Sequence, residues 1–212
     1  MPRERLIRRM ILAGALPAVW ALQGCAPARP PLFDAQALAR CDRVIVVPLA
    51  DGPGPKATGS GKALRGAVIR ELLHMPDLGV INLTDQNLAT TLQKLGYAVQ
   101  DCYDPMVAAE VGRALDADTV VTGEITHYDT QQEQAQTTVM IVTGGGTDTT
   151  HWVSASIRMV RARDAKIIYT GKATASHTEG YTQASAAVCK ELFASLKHFL
   201  EHEKKSLRKK AK

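Results

Sequence analysis

The chain has 212 residues, 45% of them hydrophobic, which excludes a disordered or fibrous class and suits one domain of ordinary size. Its formal net charge of +5 is uneven: residues 1–24 carry four Arg and one Glu, and the last nine carry six basic residues and no acid. Taking that +3 and +6 away leaves −4 for residues 25–203, a mildly acidic body that argues against nucleic acid as a partner.

Arg3, Arg5, Arg8 and Arg9 precede an apolar stretch from Met10 to Ala21. Twelve residues are too few to cross a bilayer, which takes about twenty, and fit the core of a secretory signal. Leu22-Gln23-Gly24-Cys25 follows and resembles the lipobox of bacterial lipoproteins. The resemblance implies cleavage of residues 1–24 and acylation, palmitate included, of Cys25. Ala26, where Asp would mark inner-membrane retention, implies an outer-membrane address facing the periplasm. At about 0.8 kcal/mol per buried methylene, several acyl chains anchor almost permanently. Residues 25–42, with Pro27, Pro30 and Pro31, read as a tether.

The folded domain is expected over 43–203. Arg43 to Ala50 includes four consecutive β-branched residues, the pattern of a strand buried on both faces. A Gly-rich loop and Gly61-Lys62 follow, as in a phosphate-binding P-loop. That motif needs Gly at 56 and Ser or Thr at 63, and the chain has Lys56 and Ala63. The loop is read instead as a strand-to-helix turn whose Gly52, Gly54, Gly59 and Gly61 are candidates for a partner surface. Leu64, Val68, Leu72 and Leu73 share a helical face ended by Pro76, and Leu78 to Leu83 reads as a short strand. Asp85 is expected to cap a helix carrying Leu88, Leu92 and Leu95 and closed by Gly96. Asp104-Pro105 starts another, with Val107, Ala108 and Val111 inward. Thr119 to Tyr128 reads as a strand. Thr137–Thr143 and Trp152–Val160 read as strands around a Gly144–Gly146 turn, and Lys166–Ser176 as the next strand. Tyr181 to Glu203 is a last helix with Val188, Leu192, Leu196 and Phe199 on one face, and residues 204–212 read as a disordered basic tail. The fold class is α/β (α+β): βαβαα, then antiparallel hairpins and a C-terminal helix.

No motif for catalysis, cofactor or metal stands out. His198 and His202 are four apart, but Phe199 stands where a zinc-protease helix needs Glu. His127 and Asp129 share one strand face, which alone binds a metal poorly. Glu124, within an apolar strand, is the most interesting acid but has no partner in sequence. Beside Cys25 stand Cys41, Cys102 and Cys189. The periplasm permits one disulfide among them; Cys41–Cys102 is the expected pair and Cys189 the buried thiol.

In "DPMVAAEVGRALDADTVVTGEITHYD", Gly112, Leu115, Ala117, Asp118, Gly123 and Tyr128 form a pattern that resembles the CsgG-like lipoproteins. These share a fold with the LpoB-type activators of penicillin-binding proteins and the TolB N-terminal domain. The resemblance spans about Arg43 to Leu200. It implies a small mixed sheet packed with helices in a non-enzymatic envelope protein, able to homo-oligomerise. The expected function is a lipid-anchored protein that binds an envelope partner in assembly, secretion or cell-wall synthase activation. Two alternatives stand: a secretion-channel component, and a periplasmic small-molecule binder or enzyme using Glu124 or the 52–61 loop. For the channel, "TTVMIVTGGGTDTTHW" offers few alternating apolar residues for two barrel spans of about ten each.

Overall fold

The computed structural model describes residues 32–81, 83–134 and 147–210. A five-stranded mixed sheet organises them, in the order β2-β1-β3-β4-β5. β1 (Arg43–Val46) lies parallel to both β2 (Gly79–Val80) and β3 (Thr119–Gln134). β4 (Thr147–Arg161) and β5 (Ile167–His177) continue it antiparallel. Val44, Ile45, Val46 and Val47 are buried and alternate between two apolar clusters, one on each side of the sheet. The continuous β-branched run is thus read correctly as a strand covered on both faces.

On the first face pack α1 (Ala35–Ala39), α2 (Ser60–Leu73) and α5 (Tyr181–His202). Leu64, Val68 and Leu72 are buried there, whereas Leu73 points outward and is 61% exposed. A register step at β3, between Ile125 and His127, turns Tyr128 toward the same face. On the second face, α3 (Asp85–Leu95), a 3-10 turn over Val99–Tyr103 and α4 (Pro105–Ala114) cover Ile45, Val47, Val120 and Val160. That cover stops part-way. Beyond it the second face carries Glu124, Ser154, Ser156, Arg158, Lys172 and Thr174 in cross-strand register.

Arg65 of α2 bolts the layers together. Its side chain is buried, with Nε donating to the Val46 carbonyl at 2.9 Å and Nη2 to that of Leu83 at 2.9 Å. Nη1 reaches Asp85 at 2.6 Å. Asp85 is therefore the first residue of α3 rather than its cap. Thr84 caps, its hydroxyl accepting from Asn87 N at 3.1 Å, while Lys62 and Arg65 hold the Asp85 carboxyl below its ordinary range. Gly96 closes α3 in the left-handed region, and Asp104 caps α4 by accepting from Met106 N at 2.7 Å.

Four boundaries differ from the sequence reading. The domain starts before residue 43: Asp34 caps α1, whose Ala37, Leu38 and Ala39 are buried, and Phe33 bridges Tyr169 at the edge of β5. Residues 32–42 thus belong to the fold rather than to a tether. At the other end, Lys204–Lys210 form α6, and Lys204 is fully buried, so the tail is not all solvated. β2 is two residues long, because only Gly79 and Val80 find register with β1. β3 and β4 run longer than expected, pairing out to Gln134 opposite Thr147. The strand anticipated at Thr137–Thr143, and its turn, lie outside the described residues.

Candidate functional site

The Gly-rich loop after β1 is tied internally. The Asp51 carboxylate accepts from Gly59 N at 2.9 Å and from Gly61 N at 2.7 Å. Ser60 Oγ accepts from Gly52 N at 3.1 Å. Amides that would face a phosphate in a P-loop are thereby held by the chain's own carboxylate. Lys62, the residue that would reach the phosphates, lies 3.2 Å from Asp85 instead. Of the four glycines read as a partner surface, Gly54 and Gly59 are exposed and hold φ of +88° and +81°. Gly52 is half-buried against Ile125 and Tyr128. Gly61 is buried: a Cβ there would stand 2.0 Å from the Leu49 carbonyl oxygen, so it is a packing residue and no part of a surface.

The loop's 3-10 turn, Pro55–Ala57, buries Ala57 and packs beside β3. It sets exposed Lys56 at the root of the β3–β4 hairpin. There Tyr128 of β3 stacks on Tyr181, the first residue of α5, with ring centroids 3.9 Å apart. His151 of β4 meets the Tyr181 ring edge-on at 4.6 Å, and the Tyr181 hydroxyl lies 2.5 Å from Thr130 Oγ1. Lys56, Thr130, Gln132 and Tyr181 line an open concavity of about 540 Å³. His151 Nδ1 is buried at this root with no hydrogen-bond partner among the described residues; Trp152 Nε1, likewise unpartnered among them, lies on the opposite face of β4. Buried N–H and ring nitrogens are normally satisfied, and each left unmade costs about 1–3 kcal/mol. Tyrosines with an apolar body and polar tip, an amide and a cation make a surface for polar and aromatic contacts with another chain.

Glu124 is exposed, opposite Ser156 on the polar half of the sheet. His127 and Asp129 are exposed opposite Ser154 and Trp152. His198 and His202 lie on the solvent side of α5, rings 4.7 Å apart. Among the described residues, no three His, Cys, Asp or Glu side chains group as metal ligands. Cys25 lies outside the described residues.

The disulfide expected between Cys41 and Cys102 is not formed. Both are free and buried, Cys41 in the cluster with α1, α2 and α5 and Cys102 in the one with α3 and α4, so the sheet separates them. Burial raises the Cys41 thiol pKa and pushes Cys102 up to about 11 and Cys189 to about 12. Thiolate is the reacting form. All three are therefore expected to resist iodoacetamide at pH 8 in the native domain and to label fully in guanidinium, as read by mass spectrometry.

The tyrosine cluster was missed in the sequence because Tyr128, His151 and Tyr181 are far apart in the chain. Its one signal was Tyr128, quoted in the central motif. The other motif residues are structural. A Cβ at Gly112 would stand 2.7 Å from Val120 and 2.9 Å from Ala162, so glycine lets α4 approach the sheet. Asp118 Oδ2 accepts from Asp42 N and Arg43 N at 3.1 and 2.8 Å, clamping the start of β1 to β3.

These elements match known proteins. The family model described as "Curli production assembly/transport component CsgG" matches residues 84–210. Among solved structures, the PelC dodecamer from Paraburkholderia phytofirmans is 14% identical over 76% of this chain and 91% of that one, with a TM-score of 0.51. Lipoprotein GNA1162 from Neisseria meningitidis is 17% identical over 73% of this chain and 96% of that one, TM-score 0.46. The LpoB C-terminal domain from Escherichia coli is 16% identical over 64% and 83%, TM-score 0.40. No curated protein matches. With α3 through α6 inside the matched span, the chain belongs to the CsgG family of curli production assembly/transport components.

Proposed function

We propose that this chain is a lipid-anchored outer-membrane protein, held through Cys25, whose periplasmic domain binds an envelope protein partner at the root of the β3–β4 hairpin. The observation that carries the reading is the Tyr128–Tyr181–His151 cluster, with His151 Nδ1 buried and unsatisfied beside an open concavity. A docked chain supplies the missing partner of His151 and covers the rings. Membership of a family of assembly and transport components supports a binding role. The related fold of PelC is described as a dodecamer, which supports a second copy of this chain as the first partner to test.

An adaptor fits better than a pore lined by this hairpin. Past the root, Gln131 and Gln132 face Thr150 and Thr149. Among the described residues past the root, a strand pair polar on both faces offers no apolar side to lipid.

Two measurements test the reading. Mass spectrometry of the mature N-terminus should find Cys25 acylated in the outer-membrane fraction, and Cys25→Ser should release or leave unprocessed the same chain. An intact Met1 in a soluble cytoplasmic product would remove the location. In envelope cross-linking, Tyr181→Ala should lose at least tenfold of the cross-linked product, and Tyr181→Phe, which keeps the stacked ring, should retain most of it. Equal cross-linking by wild type and Tyr181→Ala would remove the proposed surface.

A further inference from the structure

A second concavity lies where α1, the α4–β3 junction and the β4–β5 turn meet. It encloses about 420 Å³ and is lined by Arg40, Arg113, Arg161 and Arg163 and by Asp116 and Asp118, over a floor that includes Ala117 and Ala162. Four guanidiniums around one cleft are out of keeping with a body that is acidic outside its two ends. Four guanidiniums against the two carboxylates of Asp116 and Asp118 leave the lining net positive, which favours an added anion.

The acids at the cleft hold other partners and do not offset all four arginines. Asp118 turns one carboxylate oxygen to the amides of Asp42 and Arg43. Asp116 pairs with Arg43. Asp164 takes a two-point contact from Arg161, Nε at 2.7 Å and Nη2 at 2.5 Å. Arg113 is positioned rather than neutralised: Nη1 donates to the Ala162 carbonyl at 2.6 Å, leaving its other N–H groups toward an exposed setting. Arg40 and Arg163 are exposed and make no ion pair among the described residues. Three guanidinium forks thus border one small-floored cleft with donors to spare, and each fork matches the two oxygens of a phosphate or carboxylate.

We propose that this cleft binds an oxyanion, a phosphate or carboxylate group carried by a small free anion or by a lipid headgroup. Arg113, fixed by its carbonyl contact, sets the position, and Arg40 and Arg163 close on the anion from the two sides. The volume suits a small molecule or a headgroup rather than a folded partner. Binding is salt-dependent because the cleft is open to solvent.

Calorimetric titration of the full chain in nonionic detergent tests this with sodium pyrophosphate, citrate and water-soluble dihexanoyl phosphatidylglycerol as probes. The expected result is saturable binding of at least one probe, weakened tenfold or more in Arg40→Ala/Arg163→Ala and unchanged in Lys172→Ala, which removes a cation from the open sheet face. Both arginines are exposed, so the double variant keeps the wild-type melting temperature and its loss reads on binding alone. Pyrophosphate or citrate binding would assign a free anion, and binding of the phosphatidylglycerol probe alone would assign a lipid headgroup. The proposal is overturned if no probe binds, if the wild-type and double-variant isotherms superimpose, or if Lys172→Ala loses as much as the double variant.

Discussion

Replacing Lys204 with Met lowers the melting temperature by about 6–16 °C, while Lys205→Met changes it by less than about 2 °C. The two lysines are neighbours in one basic run, so net charge changes equally in both variants. Lys204 is fully buried, and its ammonium donates to the carbonyls of Cys41 at 2.8 Å and Asp77 at 2.5 Å and lies 3.3 Å from Asp42 Oδ1. One cation thus gathers the end of α1, the start of β1 and the turn before β2. Methionine fills much of the volume but leaves two carbonyls without their donor. At about 1–3 kcal/mol for each buried group left unsatisfied, the loss is about 3–4 kcal/mol. A domain of this size loses about 2–4 °C per kcal/mol, which gives the stated range. Lys205 is exposed, and surface substitutions stay within about 0.5 kcal/mol. Equal melting temperatures for the two variants would return the whole tail to solvent.

Lys204 also shows what the sequence could and could not convey. A run such as "KKSLRKKAK" carries the composition of a solvated tail. That one of its lysines finds a carbonyl 163 positions earlier is a property of the tertiary fold. The same holds for α1: five residues behind a Pro-rich stretch are too few for a helical period, and the helix stands because Asp34 caps it and the core covers it. Cys41 and Cys102 looked available to each other because chain order says nothing about which face of the sheet each side chain joins. The elements with strong local signals were legible. The run Val44–Val47, the alternation in β4, the Asp104-Pro105 start and the Gly96 stop all express periodicity or cap chemistry within a few residues. The central motif carried the family because close packing at Gly112 and the clamp at Asp118 demand particular residues at particular spacings. The tyrosine cluster has no such local grammar. It is assembled by the register of β3 against β4 and by where α5 begins.

Two glycines of α2 should respond to alanine with opposite signs. Gly61→Ala should destabilise the domain by about 3 kcal/mol or more, and Gly66→Ala should stabilise it by about 0.5–1 kcal/mol. Helix propensity alone favours alanine at both. The difference lies in what the new methyl meets. At Gly61 it would stand 2.0 Å from the Leu49 carbonyl oxygen and 2.8 Å from the carbonyl carbon, both backbone atoms between β1 and the loop. Neither can step aside without moving Ala50, whose N–H donates to the Gly123 carbonyl at 3.0 Å and whose carbonyl accepts from Ile125 N at 3.1 Å. The strain therefore spreads to the β1–β3 ladder and to Asp51, which holds Gly61 N. At Gly66 the nearest atom is the end of the Arg70 side chain at 3.9 Å, an ordinary contact, and the residue lies within the helix. Alanine there loses less backbone freedom on folding. Urea denaturation of the two variants separates these cases: the midpoint should fall for Gly61→Ala and rise for Gly66→Ala at unchanged slope. If Gly61→Ala were as stable as wild type, α2 would not start against the end of β1. The Asp51 carboxylate would then no longer be held over its first amides, and the physical reason for denying this loop a phosphate would go with it.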